Sequence, residues 1–139
     1  MTVYKPYGYR YGPHEIKMCY IDTTACAATT INTGDMLSVS TTAGAGYLLP
    51  AEVGCDYVVG VACETKAPGA TTIMVDSSPH AVYEYPANST VTIAMKDTHA
   101  DVAGAREVDV TSPTDKNLYI VDVDTANQTV FVRIVKQAA

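Results

Sequence analysis

Residue types able to do chemistry are present but scattered. Asp76-Ser77-Ser78-Pro79-His80 holds the ingredients of a Ser–His–Asp site within five residues. Neighbours in sequence rarely form such a triad, because nucleophile, base and orienting acid must converge from different directions. No Gly-x-Ser-x-Gly elbow is present to hold a serine on a strained turn, so the stretch reads as a turn between strands. Asp97-Thr98-His99-Ala100-Asp101 offers carboxylates and an imidazole, but it reads as a solvated polar insertion rather than a metal site. Gly44-Ala45-Gly46 lacks both the third glycine of a dinucleotide fingerprint and the Gly-Lys-Ser/Thr ending of a phosphate loop. Cys19, Cys26, Cys55 and Cys63 are separated by 6, 28 and 7 residues, which matches no CxxC-type zinc or redox motif. They read as small buried apolar thiols. His14 has no evident partner, and Asp109, Asp122 and Asp124 are spaced like the outward charges of strands. The expectation is no catalytic residue, no cofactor and no metal, and a protein that is not an enzyme.

The elements that must position these residues are strands. Ile16–Ile21 alternates, Asn32–Asp35 reads as a turn, and Met36–Ser40 places Leu37 and Val39 on one side with Ser38 and Ser40 on the other. Tyr47–Leu49 is a short strand ended by Pro50, and residues 51–55 can make one helical turn. Tyr57–Cys63 is a nearly continuous apolar run, the best candidate for a central strand, with Gly60 marking a bulge or close approach. Strands are expected at 71–75, 81–85, 90–95, 107–110, 118–123 and 129–135, with a polar segment that includes a helical turn at 97–105. The result is an all-β protein: a small barrel or sandwich of nine or ten short strands over residues 16–139.

Residues 1–15 stand apart. Tyr4, Tyr7, Tyr9 and Tyr11 are interleaved with Pro6, Gly8, Gly12 and Pro13, which forbids a stable helix. Tyrosine offers a broad apolar face and a polar tip, and is enriched at interfaces. The segment therefore reads as an extended arm, with Tyr4, Tyr7, Tyr9, Arg10 and Tyr11 as partner-binding residues on a neighbouring subunit. The competing reading folds the arm back onto its own domain.

Composition narrows the class. Of 139 residues, 17% are charged, against about 25% in an average soluble protein, and there is no Trp. Net charge is −6, so the basic footprint of a duplex-binding protein is missing. Residues 1–20 carry Lys5, Arg10 and Lys17 against Glu15 alone, so the acidity lies in the body. Met1–Pro6 lacks the apolar core of a signal peptide, and no apolar run is long enough to span a bilayer. Synthesis in a reducing cytoplasm, without membrane partners, is expected.

Ile31–Val39, the Gly-rich loop, Leu49-Pro50-Ala51 and Val58-Val59-Gly60-Val61-Ala62 occur in an order that resembles the capsid decoration (cement) proteins of tailed bacteriophages. The resemblance covers residues 31–63. It implies a β-barrel with no catalysis, bound as a homotrimer to the outer surface of the phage head and clamping major capsid protein subunits. Small barrels of this kind also serve in heads and tails, so a head–tail or tail structural role stays open. So does a module for a carbohydrate or other small ligand, against which the absence of Trp counts. A surface poor in charge is suited to burial under protein, since charges are depleted from interface cores.

Overall fold

The computed structural model of the protein describes residues 8–55, 58–111 and 114–135. Eleven strands occur among them: β1 (Gly8–Tyr11), β2 (Ile16–Ile21), β3 (Met36–Ser40), β4 (Gly44–Pro50), β5 (Val58–Ala62), β6 (Thr72–Asp76), β7 (Val82–Pro86), β8 (His99–Gly104), β9 (Glu107–Asp109), β10 (Leu118–Asp124) and β11 (Thr129–Ile134). Strands β2-β4-β3-β5-β6 close into a barrel, and β1-β7-β11-β10-β8-β9 form a six-stranded sheet. The all-β expectation holds, and no α-helix occurs among the described residues.

Two-residue periodicity explains how barrel and sheet share a core. On β3, Leu37 points into the barrel with Ile21, Leu48, Ile73 and Val75. Its neighbour Met36 points outward and joins the sheet residues Tyr83, Tyr85, Ile120, Val130 and Val132. On β5, Ala62 faces the barrel interior while Val58 and Val61 meet the sheet. Both sides of this wall are covered, which is why β5 reads as a continuous apolar run. Gly60 is a close approach, as expected: a Cβ there would lie 2.5 Å from the Asp76 carbonyl oxygen and from Val75 Cγ1.

Three local expectations are corrected. Residues 90–95 are not a strand. Gln128 Oε1 accepts the Val91 N–H at 2.7 Å, and Ile93–Met95 closes a short 3-10 turn instead. The segment at 97–105 is not a solvated insertion, because it contains β8. Ala100 and Val102 alternate into the core, and buried Asp101 accepts the backbone N–H groups of Thr114, Asp115 and Lys116. Residues 51–55 make a turn rather than a helix, with the Cys55 N–H bonded to the Glu52 carbonyl at 3.1 Å.

The sheet holds a buried charge. Glu84, on β7, is 1% exposed. It accepts Arg10 Nε from β1 at 2.8 Å and the Thr129 hydroxyl from β11 at 2.6 Å. A carboxylate out of water needs such partners, and removing one leaves an uncompensated charge. Arg10→Met is expected to cost about 3 kcal/mol of stability in urea unfolding. Adding Glu84→Gln should restore part of that loss, and strictly additive losses would contradict a direct pair.

Candidate interaction surface

The barrel wall opposite the shared core carries a second set of outward apolar side chains, which the described residues leave exposed. Ile16, Met18 and Tyr20 alternate along β2, each 51–54% exposed. Register places Met18 beside Met74 of β6 and Tyr20 beside Tyr47 of β4. Met74 and Tyr47 are exposed as well, and the two tyrosine rings lie 6.4 Å apart. On β3 and β5 the outward apolar residues meet the sheet; on β2, β4 and β6 they meet solvent. Single exposed apolar residues are ordinary, but a contiguous group on one sheet face marks an interaction site.

One end of this face runs into a cleft of about 380 Å³, whose lining includes Tyr9, His14, Ile16, Val61, Asp76 and Tyr83. The strap joining β1 to β2 forms its rim. Asp76, at the end of β6, is 2% exposed. Its Oδ1 accepts the N–H groups of Glu15 and Ser78 at 3.0 and 3.1 Å, and its Oδ2 meets His14 Nδ1 at 2.5 Å. Burial by itself would raise the Asp76 carboxyl. The Glu15 N–H, His14, the Ser78 N–H and the Tyr83 hydroxyl outweigh it and hold the group below the usual carboxylate range. Gly12 makes the crossing possible: its φ is +104°, and a Cβ would sit 2.5 Å from the His80 carbonyl oxygen.

The residues singled out from sequence fall as follows. Tyr4 and Tyr7 lie outside the described residues. Tyr9, Arg10 and Tyr11 are not on a free arm, because β1 pairs with β7 of its own chain, Tyr9 opposite Tyr83 and Tyr11 opposite Val82. Arg10 is committed to Glu84, while Tyr9 and Tyr11 keep 39% and 56% exposure. His14, read as unpartnered, is paired with Asp76 and stacks on Tyr9 with ring centroids 4.1 Å apart. The Asp76–His80 run is a turn, as expected: Asp76 accepts the Ser78 N–H, and the Ser78 hydroxyl accepts the His80 N–H. Cys26 is buried and Cys19, Cys55 and Cys63 are half-buried, all as free thiols. Burial, then the charge of Asp76, pushes the Cys63 thiol upward, so it is protonated and unreactive at neutral pH. Asp109 and Asp124 accept bonds from Thr111 and Asn127, holding turns at strand ends. Among the described residues, no three His, Cys, Asp or Glu side chains converge on a metal position. No helix among the described residues is long and apolar enough to cross a membrane.

The exposed stripe was within reach of sequence reasoning. Ile16, Met18 and Tyr20 occupy alternate positions, but so do residues facing a core, and sequence alone does not say which side of a barrel wall is covered. The chain matches no family model, and no curated protein matches it.

The acid response follows from the carboxylates. Asp76, Asp22 and Asp124 are each held low, Asp22 by the Ala25 N–H and the Ser40 hydroxyl, Asp124 by Asn127. The folded state therefore binds protons less readily than the unfolded chain. Stability is full above the ordinary aspartate pKa of about 3.9 and is lost as pH falls through the lower folded values. The melting temperature is expected to drop on acidification below about pH 4, and Asp76→Asn should flatten that drop. An acid-insensitive melting temperature would contradict the assignment.

Proposed function

We propose that the protein is a structural component of a tailed-phage virion, a decoration protein that works by binding and not by catalysis. It seats the β2–β4–β6 face on the outer surface of the head and ties neighbouring major capsid protein subunits together. It acts as a homotrimer, so that three modest contacts engage at once. The observation that carries the reading is the exposed group Ile16, Met18, Tyr20, Tyr47 and Met74 on one barrel wall. A face of aromatic and methionine side chains with little charge has the composition of an interface core. The sequence resemblance over residues 31–63 supports the same reading. The barrel interior is packed with Ile21, Leu37, Leu48, Ile73 and Val75, which argues against a lumen that holds a carbohydrate.

Co-sedimentation with expanded, undecorated heads tests this. Saturable binding is expected, with Met18→Asp or Tyr20→Asp weakening it at least thirtyfold, as loss of an interface anchor worth about 2 kcal/mol or more would do. Val53→Asp, at an exposed apolar residue elsewhere, should leave binding intact. An absence of binding, or binding indifferent to Met18→Asp, would overturn the proposal. Light scattering of the free protein is expected at about three times 14.8 kDa; a monomer at all concentrations would contradict the preformed trimer.

A further inference from the structure

The exposed barrel wall carries two thioethers side by side. Met18 on β2 is paired in register with Met74 on β6, and the two residues are 54% and 38% exposed. The other methionines among the described residues lie elsewhere: Met36 is fully buried, and Met95 is half-buried against the sheet core. Side chains opposite one another on neighbouring strands stand about 5 Å apart at Cβ. Both exposed thioethers therefore belong to one patch, in which Ile16 and Tyr20 flank Met18 along β2.

An exposed thioether is open to oxidants, and cysteine is its usual competitor. A peroxide attacks the thiolate rather than the thiol. Burial pushes the Cys19, Cys26 and Cys63 thiols upward, and Cys55 is half-buried. A thioether needs no deprotonation to react. We propose that Met18 and Met74 form a paired site of oxidation by hydrogen peroxide, and that the sulfoxides weaken the seating of this wall on the phage head. A sulfur lone pair attacks one peroxide oxygen, and the S–O bond forms as the O–O bond breaks. The sulfur-bound hydroxyl then gives its proton to the departing hydroxide, which leaves as water. The sulfur loses two electrons and the peroxide gains them. Methionine sulfoxide reductases reverse the change. Neither methionine belongs to a core cluster, so the fold survives. Docking does not, because a sulfoxide oxygen buried without a donor carries its desolvation cost. The weakened docking rests on the reading of this wall as the head-binding face; the oxidation site does not.

The two parts are tested separately. The full chain is treated with hydrogen peroxide at neutral pH, and the oxygen gained by each peptide is followed by mass spectrometry. Met18 and Met74 should gain oxygen before Met36, Met95 and the four cysteines. Oxidation of Met36 or of a cysteine ahead of them would overturn the site, and no head is needed to see it. In co-sedimentation with expanded heads, the oxidised protein should bind at least about tenfold more weakly, the cost of one unsatisfied polar group. Treatment with the two sulfoxide reductases should restore binding. Binding unchanged by oxidation would overturn the weakened docking and leave the head-binding reading in place. Untreated protein that does not bind would overturn that reading and the weakened docking together. The double variant Met18→Leu, Met74→Leu, compared with itself before and after peroxide, should show no loss. A loss equal to that of the unaltered chain would place the effect on other side chains and overturn the role of the methionines.

Discussion

Two buried carboxylates hold the N-terminal segment in place, and the arrangement of the whole surface follows from them. Glu84 lies in the six-stranded sheet and takes Arg10; Asp76 lies at the end of the barrel strand β6 and takes His14 and the Glu15 amide. Residues 8–15 are thereby fastened to the sheet at one end and to the barrel at the other. A carboxylate removed from water is stable only while its donors stay in place. Each clasp therefore fixes a strand position more sharply than apolar packing would, since packing tolerates small slips. The Thr129 hydroxyl on Glu84 and the Ser78 amide on Asp76 extend the clasps to β11 and to the turn after β6.

With the strap fixed, the two sides of the barrel become unlike. The β3–β5 wall is buried against the sheet and contributes Met36, Val58 and Val61 to a common core. The β2–β4–β6 wall is left outward, carrying side chains of the same apolar type.

Much of the fold was legible because turn residues punctuate short β-forming runs: Asn32–Asp35, Pro50 and the 124–127 turn each separate observed strands. Gly60 was legible as a close approach. Segments 90–95 and 97–105 were not, for one reason seen from two sides. Val91, Ile93 and Met95 alternate like a strand, but Gln128 captures the Val91 amide and diverts the chain. Asp101, between the core residues Ala100 and Val102, reads as a solvent-facing charge but is buried and serves a loop. Long-range side-chain bonds of this sort leave no local pattern. The same holds for Arg10 with Glu84 and His14 with Asp76, pairs separated by 74 and 62 residues, which turned an apparent arm into part of the sheet. The low overall charge left open which wall of the barrel would carry exposed apolar side chains.

Residues 8–11 form a strand of their own chain's sheet, and the apolar side chains of the β2–β4–β6 wall stay exposed. Native-state hydrogen exchange on the isolated protein measures this directly. The amides of Gly8–Tyr11 that pair with β7 are expected to exchange far more slowly than a free segment, and to lose that protection together when Arg10 is replaced by Met. Exchange of these amides at unstructured rates in the intact chain would contradict the clasp and return the segment to the role of a free arm.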